Sequence, residues 1–476
     1  MVNDIVAAIN SFLWGNAIEL PYIGGVPILI PMLVFAGFWF TTKLRFVQFR
    51  HFFHMFAVMK GSLKSDKSGI SSFAALCTSL SARVGTGNLA GVAVAISLGG
   101  AGAIFWMWVI AVLGMATGFA ESLLGQLYKV RDDHGEFRGG PAYYIRQGLN
   151  KTWLAVLFSL CLFLGYGFIF SAVQANTITD ALANAYQIDT FYSGLVIIFV
   201  AGLIVVGGLR RIAYFAEWIV PFMAVGYVVV AVGITIINIE HVPGLLWDII
   251  SSAFGLQEAG SGALAAAIKN GIQRGLYSNE AGSGSVPHAA AGASPTPNHP
   301  VAQGYVQMLG VFIDTMILCT CTAVIILLAG GSQSDQMEGI RLTQSAMTSH
   351  LGEVGSDFVA AAISLFAFTS VVANYAYGES NLHMFKLDNK VGRTFYTTGY
   401  LAMILWGSQA ALPDVWAMAD MALGMMTVIN IIAITLLTPT IVSITNDYFE
   451  QRRNGQTPLY KNGNCEIQGD TEKGIW

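Results

Sequence analysis

Charge is what this sequence has least of. Only 11% of its 476 residues are Asp, Glu, Lys or Arg, against 54% hydrophobic residues. Soluble domains run near 25% charged, so the composition excludes an ordinary soluble protein and points to many membrane spans. A net charge of −4 supplies no basic surface and argues against a nucleic-acid partner. Cysteine is scarce: Cys77, Cys161, Cys319 and Cys321 lie in apolar stretches and Cys465 in the tail, at no metal-ligand spacing. They read as small apolar residues. No phosphate-binding loop occurs, which excludes an ATP-driven pump, and no enzyme signature appears. Histidines fall mostly in loops (His51, His54, His134, His241, His299), and His288 reads as a local hydrogen-bonding group. The N-terminal stretch lacks the basic region of a cleavable signal and carries Asp4 and Glu19. Instead Val2, Ile5, Val6, Ile9, Phe12 and Leu13 recur at helical spacing, as in a short helix lying in the membrane interface or packed on a bundle.

What is abundant is long apolar runs. Taking about 20 apolar residues as one crossing, the sequence predicts an all-α membrane protein of eleven transmembrane helices, near 24–42, 71–98, 101–128, 153–181, 192–208, 212–239, 260–293, 301–330, 358–379, 392–408 and 416–445. Basic residues then set the orientation. One set of loops holds Lys43, Arg45, Arg50, Lys60, Lys64 and Lys67, then Lys129, Arg131, Arg138, Arg146 and Lys151, then Arg210 and Arg211. The same set ends with Lys386, Lys390, Arg393, Arg452, Arg453, Lys461 and Lys473, whereas the opposite loops hold Arg341 alone. The positive-inside rule makes the first set cytoplasmic. The N-terminus is then outside and the C-terminus inside, which an odd number of spans satisfies. The chain divides into an interfacial helix plus one extra span (1–43), a ten-helix core (44–447) and a cytoplasmic tail (448–476).

Two of the ten core spans are interrupted. The first carries Ser79-Leu-Ser-Ala-Arg-Val-Gly-Thr-Gly-Asn88 at mid-depth. The sixth carries Gly275-Leu-Tyr-Ser-Asn-Glu-Ala-Gly-Ser-Gly-Ser-Val-Pro287. Unwound backbone in a bilayer survives only where it faces protein or a water-filled cavity. Breaks at positions one and six of ten are what a five-plus-five inverted repeat gives, with the substrate site between them. A re-entrant channel loop predicts no such spacing.

Half-helix N-termini favour an anion and half-helix C-termini a cation. A zwitterion with Na+ satisfies both. The amides of Thr86, Gly87 and Asn88 are candidates for a substrate carboxylate, and the carbonyls of Ser81 and Val84 for a cation. Thr369 and Ser370 add two hard oxygen ligands in the ninth span, although such hydroxyls also back-bond to their own helix. Gln174 and Asn176 place amides in the fourth span, where an unpaired amide is costly; Gln174 is a substrate candidate and interhelical bonding is the alternative. Tyr277, Ser278 and Asn279 open the second break, Tyr277 as a cover and Ser278 and Asn279 as backbone partners of an ammonium. Buried charge marks function by default in a membrane. Arg83, Glu121, Glu217, Lys269, Arg274, Glu280 and Asp314 qualify, with pairings such as Arg274–Glu280 or Arg83–Glu121 left open. Glu280 keeps proton coupling as a rival to Na+.

Several stretches resemble the sodium:alanine (alanine or glycine:cation) symporters of bacteria and archaea. They are Gly99-Gly-Ala-Gly-Ala-Ile-Phe-Trp-Met-Trp108 with Gly114, Ala82-Arg-Val-Gly-Thr-Gly-Asn-Leu-Ala-Gly91, Phe137-Arg-Gly-Gly-Pro-Ala142, Ser278-Asn-Glu-Ala-Gly282, Phe312-Ile-Asp-Thr315 and Val372-Ala-Asn-Tyr375. The likeness runs from about residue 45 to 450. It implies a leucine-transporter-like fold with one extra helix, in the inner membrane of a prokaryotic cell, and Na+-coupled import of small neutral amino acids. It implies substrate contact at Thr86, Gly87, Gln174 and Tyr277, and Na+ at Ser81, Val84, Thr369 and Ser370. A glutamine-preferring carrier and a receptor that has lost transport are the other readings, and the sequence sets no oligomeric state.

Overall fold

The computed structural model describes residues 2–15, 18–20, 24–61, 69–132, 135–205, 208–256, 261–330 and 338–476. Lys64, Lys67, His134 and Gly260, used above, lie outside the described residues. The first half of the chain forms α1 (Val2–Trp14), α2 (Leu29–Lys43), α3 (Val47–Arg50), α4 (Phe52–Gly61), α5 (Ser72–Arg83), α6 (Gly87–Gly99), α7 (Gly102–Leu127), α8 (Pro141–Gly148), α9 (Thr152–Tyr186) and α10 (Thr190–Val205). The second half forms α11 (Gly208–Ile237), α12 (Val242–Ala253), α13 (Ser261–Asn279), α14 (Val286–Ala291), α15 (Pro300–Leu328), α16 (Ile340–Leu351), α17 (Glu353–Met384), α18 (Lys390–Gln409), α19 (Leu412–Leu436) and α20 (Thr438–Arg453). Among the described residues, strands occur only as two short antiparallel ladders, β1 (Ile18–Leu20) with β2 (Gly24–Val26) and β3 (Val130–Arg131) with β4 (Phe137–Arg138).

Among the described residues, six stretches are long and apolar enough to cross a membrane: α7, α9, Arg211–Ile237 within α11, α15, α17 and α19. Shorter apolar helices are α2, α6, α10 and α12. Counting apolar runs does not reveal α8, α12, α16 or α20. α8, α12 and α16 are short and sit between the runs that a 20-residue criterion registers, whereas the eleventh run, 416–445, crosses from α19 into α20.

Two groups of helices pack around the interrupted pair. The long α7 lies against α13, α14, the start of α15, α2 and α12. Close approach there depends on small residues: a Cβ on Gly271 would lie 2.3 Å from the Ala103 carbonyl oxygen, and one on Gly275 would lie 2.5 Å from Ile110 Cγ2. This four-residue spacing of glycines is a membrane packing device. The second group centres on α17, which packs against the second half of α9 and against α10, α11, α16 and α5.

The remaining pieces seal the ends. Asn10 and Trp14 of α1 donate to the backbone oxygens of Ala417 (2.8 Å) and Asp420 (2.9 Å) in α19, while Phe12 points outward. The tail folds back across the opposite face. Trp476 Nε1 donates to the Leu127 carbonyl at 3.1 Å, the Tyr128 hydroxyl to the Gln468 carbonyl at 2.5 Å, and the Gln468 amide to Thr440 Oγ1 at 2.9 Å. Lys129 is buried beneath it, its ammonium 4.0 Å above the Phe137 ring and 4.8 Å above the Trp476 ring.

Candidate functional site

The first interruption follows from hydrogen bonds that the helix gives up. Ser71 caps the start of α5 by accepting from the Ala74 amide at 2.9 Å. At the other end, the Gly85 amide would normally donate to the Ser81 carbonyl one turn back. It donates instead to Asn88 Oδ1 at 3.0 Å. The freed Ser81 oxygen accepts from Ser370 Oγ at 2.8 Å, and Ser370 Oγ also lies 3.4 Å from the Val84 oxygen. Ser81 returns the contact by donating its own hydroxyl to the Thr369 carbonyl at 2.8 Å. Ser81, Val84, Thr369 and Ser370, from two helices nearly 300 residues apart, therefore meet at one oxygen-rich point. The Thr369 hydroxyl itself bonds the Phe366 carbonyl of its own helix at 2.8 Å.

Beyond the break the chain resumes helix at Gly87 through a π turn, the Asn88 amide bonding back to the Gly85 carbonyl at 3.3 Å. Gln174 Oε1 accepts from both the Thr86 amide (2.9 Å) and the Thr86 hydroxyl (2.7 Å). A side-chain oxygen from α9 thus caps the half-helix. Gly85 is required here, because a Cβ would lie 2.4 Å from Ser370 Oγ and 2.7 Å from Gln174 Oε1.

The second interruption begins as α13 ends at Asn279. Glu280, Gly282 and Gly284 adopt φ of 57°, 93° and 84°, which turn the chain out of the helix. Glu121 and Asn430 hold this turn: Glu121 accepts from the Gly282 amide at 3.1 Å and from Asn430 Nδ2 at 2.8 Å, and Asn430 also donates to the Gly282 carbonyl at 2.9 Å. Glu280 accepts from Ser285 Oγ at 2.5 Å. The two breaks touch, since a Cβ on Gly87 would lie 3.1 Å from Ser278 Cα.

Between them lies a buried cavity of about 10 Å³, lined by Ala82, Arg83, Tyr166, Phe170, Gln174, Tyr277, Glu280, Asn374 and Leu423. That is room for about one water, so the pocket is closed in this conformation. Several polar atoms on or beside it have no hydrogen-bond partner among the described residues: Arg83 Nε and Nη2, the Tyr277 and Tyr377 hydroxyls, and Asn374 Oδ1. Buried polar atoms left open in this way are places for a polar ligand.

Of the residues expected at the substrate, Gln174 and Tyr277 line the cavity, and Thr86 and Gly87 stand behind Gln174 and Tyr277. The side chains of Asn88 and Ser278 turn elsewhere: Asn88 Nδ2 donates to Asp314 Oδ1 at 2.8 Å and Ser278 Oγ to Asp314 Oδ2 at 2.5 Å. A buried carboxylate needs such donors, and that demand directs them. Asn279 Oδ1 accepts from the Ala281 amide at 3.0 Å, a local turn contact. Asn176 serves interhelical bonding, donating to the carbonyls of Gly407 and Ala410. The expected pairings of buried charge do not form: among the described residues Arg83 makes no ion pair, its Nη1 lying 3.5 Å from the Gln307 carbonyl. Arg274 pairs not with Glu280 but with Asp420, at 2.6 Å, its guanidinium 4.3 Å above the Trp416 ring. Trp416 in turn packs on Tyr277, centroids 4.7 Å apart.

Sequence reasoning missed Tyr166, Phe170, Asn374 and Leu423. Asn374 carried a readable signal, an amide at mid-depth of the ninth span, the same argument that singles out Gln174. The aromatic and aliphatic walls carried none, because apolar residues in a span look alike whichever way they face.

A family model described as the sodium:alanine symporter family matches residues 1–462. A protein of Escherichia coli named uncharacterized transporter YaaJ is 45% identical, covering 96% of this chain and 95% of its own. The probable sodium/glutamine symporter GlnT of Bacillus subtilis is 43% identical, over 97% of this chain and 93% of its own. The sodium/alanine symporter AgcS of Methanococcus maripaludis is 36% identical, over 95% and 98%. With the full family span and relatives well above the level at which a fold is shared, this chain belongs to the sodium:alanine symporter family.

Proposed function

We propose that the protein is a Na+-coupled symporter that imports small neutral amino acids such as alanine and glycine by alternating access. The observation that carries this reading is the pairing of one oxygen-rich point, at Ser81, Val84 and Ser370, with one amide-rich point, at Thr86, on either side of the same helix break. On this reading Na+ takes the oxygens of Ser81, Val84, Thr369 and Ser370 and ties α5 to α17. The substrate carboxylate displaces Gln174 Oε1 from Thr86 and reaches the amides of Gly87 and Asn88. Asn374 Oδ1 and Glu280, with the backbone of Ser278 and Asn279, receive the ammonium. Tyr277 and Phe170, edge to face at 5.8 Å, cover the side chain and favour a small one. The Arg274–Asp420 pair closes outside Tyr277, and α5–α7 with α13–α15 rock against the α17 group. One charge moving through 100 mV contributes about 2.3 kcal/mol.

The proposed architecture is eleven spans: an extra N-terminal helix in 1–43, a five-plus-five inverted-repeat core in 44–447 and a tail in 448–476. The N-terminus lies outside a prokaryotic cell membrane and the C-terminus in the cytoplasm. A second reading, proton coupling, is favoured by the place of Glu280 in the cavity wall.

The test is uptake of labelled alanine into liposomes holding the purified protein, with glycine and glutamine as competitors. Transient accumulation under an inward Na+ gradient, absent with K+, is the expected result. Accumulation under a pH gradient alone would replace Na+ by H+. Stronger competition by glutamine than by glycine would change the substrate, and binding without accumulation under any gradient would make the protein a receptor.

A further inference from the structure

A second cavity shares no lining residue with the one between the two breaks. It measures about 450 Å³ and opens at the end of α2, between the α2–α3 turn and α20. Five cations line it: Lys43, Arg45 and Arg50 from one end of the chain and Arg452 and Arg453 from the other. Among the described residues, no carboxylate pairs with any of the five. Their contacts among the described residues are with neutral groups: Arg50 Nη1 to the Arg45 carbonyl at 3.5 Å, Arg453 Nε to the Phe449 carbonyl at 3.4 Å, and Lys43 Nζ 4.6 Å above the Trp39 ring. Cations that share a cavity repel one another unless an anion lies between them. Burial, with the charges of Arg50 and Arg452 beside it, holds His51 below its ordinary value. His51 therefore adds a neutral ring, stacked on Phe449 at 4.4 Å.

The backbone is shaped for this convergence. Arg45 and Phe46 take consecutive left-handed conformations, φ 55° and 58°, which residues with a Cβ rarely adopt. Next to the cavity, Phe46, Phe49 and Phe53 are 48%, 60% and 84% exposed. A cationic pocket bordered by an outward aromatic row, at the end of an apolar helix, matches both parts of a lipid: phosphate in the pocket and acyl chain along the rings. We infer that this cavity is a binding site for the phosphate headgroup of an anionic phospholipid. The pairing of unopposed charge with exposed rings separates a lipid from a free anion, which has no use for the rings.

The test is native mass spectrometry of the detergent-solubilised full chain. It is titrated in separate arms with short-chain phosphatidylglycerol, with phosphatidylcholine of equal chain length, and with inorganic phosphate. Wild type should retain phosphatidylglycerol in preference to phosphatidylcholine, and phosphate should not displace it. Arg50→Gln/Arg452→Gln/Arg453→Gln should weaken phosphatidylglycerol binding by about fivefold per charge removed. Should that variant fail to fold, Lys43→Gln, a single exposed change, should still show about a fivefold loss. Equal retention of phosphatidylcholine, or unchanged affinity in a folded variant, would overturn the site. Displacement by phosphate at the same concentration as the lipid would make it a free-anion site and overturn the lipid assignment.

Discussion

Ser370 and Thr369 look equivalent in sequence and are not equivalent in space. Both hydroxyls bond back to the Phe366 carbonyl of their own helix, Thr369 at 2.8 Å and Ser370 at 3.1 Å, but only Ser370 Oγ also reaches across to the Ser81 carbonyl, at 2.8 Å. Ser370→Ala should therefore raise the Na+ concentration for half-maximal uptake about tenfold, the scale of one lost bond to a charged group. Thr369→Ala should cost less, and the double variant should lose Na+ dependence while remaining folded. Equal effects in the two single variants, measured as uptake against Na+ concentration, would deny this asymmetry. Gly85→Ala drives a methyl into Ser370 and Gln174 together and should abolish uptake. Gln174→Glu should also abolish uptake for the opposite reason: a carboxylate fixed on the Thr86 amides is favoured by the half-helix and leaves no place for the substrate's own. Competition of labelled alanine binding in the two variants checks both. These residues were legible because a bilayer makes glycine, hydroxyl and amide groups conspicuous. Their partners were not, since neither the Gly85 amide donating to Asn88 nor the Asp314 carboxylate drawing Asn88 and Ser278 follows from spacing along one chain.

Among the elements, the two broken helices were readable as breaks, and α5 stops at Arg83 within the stretch that the glycines mark. The second break was readable only in outline: the chain leaves helix after Asn279, held by Glu121 and Asn430 from helices far away in sequence. Charge pairing was the least legible feature, because Arg274 and Asp420 are 146 residues apart. That pair joins α13 to α19. Removing one partner, as in Arg274→Met, should destabilise the protein by about 3–5 kcal/mol, whereas Arg274→Met with Asp420→Leu should recover most of the loss. Thermal unfolding of both variants in detergent decides it.

At the scale of the whole molecule, the buried Lys129 makes stability depend on pH. Burial lowers its ammonium from the ordinary 10.5 to about 7. The unfolded chain then binds more protons than the folded one between pH 7 and 10.5, so stability rises with pH across that window. Lys129→Met should flatten the rise, and unfolding temperatures at pH 7 and pH 9 in the two proteins measure it. Trp476→Ala opens the same site from the other side and should destabilise by about 1–2 kcal/mol. The tail that covers Lys129 runs past residue 462, where the family match ends. Its Trp476 closes on a carbonyl made 349 residues earlier. The end of α7 must therefore wait uncovered while the next 349 residues are made, and this face of the protein is finished only once Trp476 has left the ribosome.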